Sequence, residues 1–230
     1  MPDALNPAPL KVASPSGPLD ALWTLPDSPA AALVLAHGAG AGMRHNFLAD
    51  LAALLHAHRV AVLRFQFPFM QSGSKRPDTP AVAHAALQAA VREAARLAPG
   101  VPLFAGGKSF GGRMASQAQA AGLLPGVQGL VFVGFPLHPA GKPGTERARH
   151  LAEVTVPMLF LQGTRDALAD LALVRDVVQP LQQATLRVIE GADHAFHVLA
   201  RSGRKDPEVL QELADVAAAW MLSAAAPAAS

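Results

Sequence analysis

The residues Phe104-Ala105-Gly106-Gly107-Lys108-Ser109-Phe110-Gly111-Gly112-Arg113 concentrate the chemistry-bearing pattern of this chain. Within them, Gly107-Lys108-Ser109-Phe110-Gly111 fits G-x-S-x-G, a pattern that lifts a serine hydroxyl on a tight, strained turn when a strand precedes it and a helix follows. The apolar run Val101–Ala105 comes before, and Met114–Ala121, closed by Gly122, reads as the helix. A serine so placed becomes a nucleophile once a base takes its proton. The helix N-terminus behind it favours developing negative charge. A chain with 19 glycines produces G-x-S-x-G by chance, so the strand and helix around it carry the weight.

A serine nucleophile needs a base and an acid that orients it, and around such an elbow they follow in the order Ser, then Asp or Glu, then His. The apolar run Met158–Leu161 leads into Gln162-Gly163-Thr164-Arg165-Asp166, and Leu186–Ile189 leads into Glu190-Gly191-Ala192-Asp193-His194. Asp166 is the acid candidate and His194 the general base. Taken singly, Asp166 also reads as a turn or helix-capping aspartate and His194 as a surface loop histidine; their joint order and placement past strand ends raise them above that. His197 competes for the base role, although Phe196-His197-Val198-Leu199 reads as a first helical turn that points it elsewhere.

A third element is His37-Gly38-Ala39-Gly40-Ala41-Gly42-Met43 after the run Ala32–Ala36. Beside a nucleophilic serine, a backbone N–H here, Ala39 by position, joins that of Phe110 to hold an oxyanion. Two rival readings fail on single residues. Gly107-Lys108-Ser109 resembles the end of a phosphate-binding G-x-x-x-x-G-K-S loop, but position 102 is proline and Phe110-Gly111-Gly112 separates the serine from the expected helix start. Gly38-Ala39-Gly40 resembles a dinucleotide loop, but Met43 stands where G-x-G-x-x-G needs glycine. No His, Asp and Glu spacing suggests a metal; His56 and His58, two apart, fall on different helix faces. No cofactor is expected.

Such residues need a scaffold that presents them at one edge. Six runs, Ala32–Ala36, Val60–Phe65, Val101–Ala105, Gly129–Val133, Met158–Leu161 and Leu186–Ile189, are apolar throughout but for Arg64 and Arg187 rather than alternating, the mark of strands buried on both faces. Between them, Asn46–His58 carries Phe47, Leu48, Leu51, Leu54 and Leu55 on one helical stripe. Thr79-Pro80 reads as an N-cap and first-turn proline for a helix to about Leu97, and Asp206-Pro207 repeats that signal. The alternation predicts an α/β fold with a mostly parallel sheet covered on both sides. Residues 10–14 and 19–25, divided by Ser14-Pro15-Ser16-Gly17-Pro18, read as an edge hairpin.

The 230 residues carry 51 % hydrophobic and 16 % charged side chains, enough for a core and unlike a disordered chain. No repeat or linker divides them, so residues 1–230 read as one domain, ordered over about 10–222, with frayed Pro/Ala-rich ends at Met1–Pro9 and Ser223–Ser230. There is no cysteine, which excludes disulfides, thiol nucleophiles and thiolate metal sites. The net charge of +2 and the absence of any basic run argue against nucleic acid as a partner. No apolar stretch of about 18 residues is present to span a membrane, and no positively charged and apolar leader opens the chain. A cytoplasmic protein is expected; oligomeric state is not legible.

Together these residues resemble the α/β-hydrolase superfamily: Gly107–Gly111 its nucleophile elbow, His37–Gly40 its oxyanion loop, and Asp166 and His194 its acid and base. More narrowly, His37-Gly38-Ala39, Arg64-Phe65, Gly107–Arg113, Phe135-Pro136-Leu137-His138-Pro139 and Ala192-Asp193-His194 resemble a small dienelactone-hydrolase-like branch that includes a testis-expressed protein and a histone-acetyltransferase-complex subunit. Two features depart from that pattern: the charged Lys108 beside the nucleophile, and the absence of the cysteine nucleophile of dienelactone hydrolases. The resemblance implies an α/β-hydrolase fold over about residues 10–222, and residues 134–157 leave no room for a helical cap. It implies a serine hydrolase acting through an acyl-enzyme on a small ester or thioester. Because some members of the branch serve as scaffolds, the alternative is a non-catalytic binding module. Phe67 and Phe69, on the loop Gln66–Asp78, are expected to wall an acyl pocket, and His138 to border the site.

Overall fold

The computed structural model describes residues 7–225. Eight strands form one sheet: β1 (Ala8–Val12), β2 (Leu19–Thr24), β3 (Ala31–Ala36), β4 (Val60–Phe65), β5 (Leu103–Lys108), β6 (Val127–Val133), β7 (Met158–Gly163) and β8 (Ala184–Ile189). Their order is β1-β2-β4-β3-β5-β6-β7-β8. β2 runs antiparallel to both neighbours, closing the hairpin read in the sequence, and β3 through β8 pair in parallel. The buried strands β3, β4, β6 and β7 fall on the apolar runs, and β5 begins two residues later than its run and continues to Lys108. β8, at the edge, is half-buried with Arg187 exposed; Ala184 and Leu186 pack against one core and Ile189 against the other.

The described residues also form six α-helices: α1 (Asn46–Ala57), α2 (Pro68–Gln71), α3 (Pro80–Leu97), α4 (Phe110–Ala120), α5 (Leu171–Val178) and α6 (Asp206–Ala225). α1 and α6 cover one face, burying Leu51, Leu55, Val209 and Leu213 against Leu33, Leu35, Val131 and Leu159. α3 and α4 cover the other. There α3 presents Ala83, Ala86, Ala90 and Ala94, small side chains that let it lie close over Val34, Phe65 and Phe132.

Several expectations are corrected in detail. Thr79 stands at the N-cap of α3 with Pro80 in the first turn, as read, but its hydroxyl makes no capping hydrogen bond. Asp206 lies inside the first turn of α6, and its carboxylate accepts the N–H of Val198 at 3.0 Å instead. The N-terminal end of α6 is held by Glu208, which accepts the Lys205 N–H at 2.9 Å, half of a capping box. The expected fraying at 1–6 and 226–230 lies outside the described residues. Ala8 and Pro9 belong to β1, and Ser223–Ala225 continue α6.

The topology itself makes a crevice. From β3 the chain crosses to β4 on one side, and β5, on the other side of β3, continues away to β6. At such a switch point the loops leaving β3 and β5 diverge, opening space above the carboxyl ends of the strands. Ala36 pairs with Gly107 there. Residues 134–157 carry a 3-10 helix, Glu146–Glu153, whose Ala148 and Leu151 are buried in the α3/α4 core rather than over the crevice. No cap covers it.

Candidate active site

Ser109 sits at the switch point with φ 51° and ψ −114°, a positive φ that a serine adopts only under local constraint. The constraint is close packing. A Cβ on Gly107 would stand 2.2 Å from the Ala36 carbonyl oxygen, and one on Gly111 would stand 2.7 Å from those of Ala36 and His37. Glycine at both positions lets the elbow press against the end of β3. The α4 helix begins at Phe110, directly after the serine, correcting the expectation that Phe110-Gly111-Gly112 separates the two. Those glycines are the first helical turn, and their missing side chains are the reason the helix can start so near the sheet. The serine side chain does not cap α4.

Its hydroxyl turns to His194, whose Nε2 lies 2.8 Å from Oγ. His194 Nδ1 lies 2.7 Å from Asp166 Oδ2. The Asp166 side chain is fully buried and that of His194 is 23 % exposed. With the carboxylate on Nδ1, the ring carries its proton there and offers the Nε2 lone pair to the serine. Asp166 is itself fixed: Gln162 Nε2 donates to Oδ2 at 2.6 Å, and the Leu168 N–H donates to Oδ1 at 2.8 Å. Gln162 in turn accepts the Phe135 N–H at 3.0 Å.

On the opposite side, His37 is fully buried. Its Nδ1 donates to the Gly38 carbonyl at 2.7 Å and its Nε2 accepts the Phe67 N–H at 3.0 Å. Burial holds its pKa below the usual histidine value, which suits this neutral ring. Within one trans peptide the C=O and N–H point opposite ways. Tying Gly38 O to the ring therefore turns the Ala39 N–H away from it. Among the described residues neither the Ala39 nor the Phe110 N–H has an acceptor.

The serine, His194 and Ala39 open onto a cleft of about 650 Å³. Ala41, Phe47 and Leu48 form one wall, Ala167, Leu168 and Ala195 another, with His45, Arg165 and Asp193 among the polar lining. Its size suits a small organic molecule. Phe67 and Phe69 do not line it, which corrects the acyl-pocket expectation. They are 0 % and 3 % exposed. Their rings instead back the machinery: Phe67 lies 4.9 Å from His37 and 5.3 Å from Phe110, and Phe69 lies 5.9 Å from Phe110. The fold of α2 and the bond from the Phe69 N–H to Asp78, 3.1 Å, draw the loop under the site. His138 is likewise off the cleft and buried. It accepts the Asp170 N–H at 2.9 Å and donates to Pro139 O at 2.9 Å, latching the loop ahead of α5. His197 is exposed and pairs with Asp206 at 2.8 Å.

Lys108 is a residue whose contacts the motif did not reveal. It lines the cleft, and its ammonium reaches the main-chain oxygen of His194. The ammonium lies 5.2 Å from the Phe196 ring centre and 6.0 Å from that of Phe47. Burial lowers its pKa to about 8, against the pull of Asp166 and Asp193. Gln162 was equally silent; a polar residue closing an apolar strand is its one trace in the sequence.

A mostly parallel sheet with a serine elbow after β5 at its switch point, an aspartate past the end of β7 and a histidine past the end of β8 defines the α/β-hydrolase class. Residues 29–222 match the family model described as "Alpha/beta hydrolase domain", and the chain belongs to that family. Among solved structures it is similar to XC6422 of Xanthomonas campestris, described as a serine hydrolase without lid, at 25 % identity over 96 % of each chain and TM-score 0.71. It shares its fold with a dienelactone hydrolase from Anabaena variabilis (21 % identity, 95 % of this chain and 97 % of that one, TM-score 0.76) and with Est1E from Butyrivibrio proteoclasticus (14 %, 94 % and 98 %, TM-score 0.71). These neighbours agree with the dienelactone-hydrolase-like resemblance and with the cap-less architecture. Among the described residues no helix is long and apolar enough to cross a membrane.

Proposed function

We propose that this protein is a serine hydrolase that cleaves a small ester or thioester through an acyl-enzyme. The observation that carries the reading is the unbroken relay Ser109–His194–Asp166, at 2.8 and 2.7 Å, opening on a cleft. Ser109 Oγ attacks the carbonyl carbon as His194 Nε2 takes its proton, forming a tetrahedral oxyanion. The N–H groups of Ala39 and Phe110 receive that oxyanion, and the N-terminal end of α4 adds its field. Losing one such donor typically costs about 3–4 kcal/mol of transition-state stabilisation. His194 then gives the proton to the leaving alcohol or thiol, and the acyl group stays on Ser109. Water, deprotonated by the same Nε2, attacks the acyl carbon; the bond from Ser109 Oγ to the acyl carbon then breaks, His194 returns the proton to Oγ, and the acid leaves. Asp166, dry and doubly hydrogen-bonded, stabilises the imidazolium in both halves.

The test is a panel of p-nitrophenyl esters and thioesters of increasing acyl length, together with fluorophosphonate labelling. Wild type is expected to turn over short members and to label at Ser109, and Ser109→Ala to do neither. If wild type hydrolyses no ester or thioester faster than buffer and does not label, the reading fails and a non-catalytic binding role takes its place.

A further inference from the structure

We propose that Lys108 is a positioning residue for the general base: its ammonium holds the main-chain carbonyl of His194 while its neighbour Ser109 holds the imidazole. The proposal rests on the serine-hydrolase reading above.

Two consecutive residues of the elbow thus grip His194 at both ends. Strand alternation explains how they part. On β5, Phe104, Gly106 and Lys108 face the α1/α6 layer, where Phe47 and Phe196 stack at 5.9 Å. The lysine stem runs that way, and the ammonium ends beside Gly134 and under the loop that carries the base. Burying an ammonium is costly unless it is well paired. Among the described residues Lys108 has no carboxylate within ion-pair distance; it has one carbonyl, two aromatic faces, and the field of Asp166 and Asp193. An arrangement so poor for stability is better explained by what it holds.

The experiment compares wild type, Lys108→Met and Lys108→Arg, reading kcat and KM separately for a short p-nitrophenyl ester across pH. Lys108→Met is expected to lose about 10- to 100-fold in kcat, the scale of a small misplacement of a reacting group, with KM little changed. In wild type kcat should fall partly above about pH 8 as the ammonium is lost. That alkaline limb should vanish in Lys108→Arg, whose guanidinium stays charged. Fluorophosphonate labelling of wild type separates the two readings. If wild type neither labels nor turns over, the hydrolase reading has failed. If wild type is active and Lys108→Met matches it in kcat, the positioning role is wrong. Should Lys108→Met not fold, an alkaline limb that persists unchanged in Lys108→Arg would overturn it as well.

Discussion

His37 Nδ1 holds the carbonyl oxygen of its neighbour Gly38 at 2.7 Å, and through that one peptide plane it aims the Ala39 N–H. The ring has two jobs, and two substitutions separate them. His37→Gln loses the donor to Gly38, so kcat is expected to fall by up to about 10²-fold, the low end for a lost oxyanion donor, with KM little changed. His37→Asn keeps a donor near Nδ1 but leaves the Phe67 N–H buried without an acceptor. It is expected to retain more activity and to lose about 1–3 kcal/mol of stability. Steady-state kinetics and urea unfolding of both variants decide the matter. Equal kcat in the two would detach His37 from the oxyanion donors.

The identity of the base is the next question, since His194 and His197 lie three residues apart. Only His194 reaches Ser109; His197 is turned to Asp206, which raises its pKa. In a triad acting as a unit, His194→Ala is expected to cost about 10⁴- to 10⁶-fold in kcat. Asp166→Asn, which leaves the ring free to take the wrong tautomer, should cost about 10⁴-fold. His197→Ala should keep most of the activity. Turnover and Ser109 labelling read all three, and the assignment fails if His197→Ala is the silent enzyme.

The strands and the order of Ser109, Asp166 and His194 were legible because both depend on local pattern: buried parallel strands are continuously apolar, and reactive loops follow their ends. What escaped depends on contacts between residues far apart in sequence. β5 runs on to Lys108 although Gly106 and Gly107 have no strand propensity, because glycine is what the pressed backbones of β3 and β6 allow there. The link from Lys108 to His194 joins residues 86 apart in sequence and leaves no spacing to read. Phe67 and Phe69 misled for the converse reason. An apolar loop above a strand end can face the cleft or fold beneath it, and α2 with Asp78 sends it beneath.

That placement makes acyl-chain selectivity separable from core stability. Phe69→Ala is expected to cost about 3–5 kcal/mol, the usual range for a buried phenylalanine, without changing which acyl length is preferred. Leu168 and Ala167 lie in the cleft wall, half-buried and exposed respectively. Ala167→Trp should shift the preference towards shorter chains at little cost in stability. Ratios of kcat/KM along the ester series check both. A changed length preference in Phe69→Ala would return that ring to the pocket.

The last prediction concerns His150, which lies outside the cleft. Its Nε2 is 2.7 Å from the buried Ser116 hydroxyl, and that hydroxyl donates to Arg113 O at 2.8 Å. Burial, with Arg113 and His84 close by, pushes the His150 pKa down to about 4. In the unfolded chain it returns to the ordinary value of 6.5. Between those two values the unfolded state binds more protons than the folded one, so stability falls as pH falls. His150 therefore gives its full contribution above about pH 6.5 and loses it progressively towards pH 4. His37 and His84, also lowered by burial, tilt the curve the same way, so the measurement must be a difference. His150→Gln keeps an amide to meet Ser116 but cannot titrate. Its Tm is expected to fall less steeply than that of wild type from pH 7 to pH 4.5. Parallel Tm curves for the two proteins would show that His150 titrates in the folded protein as it does in the unfolded chain.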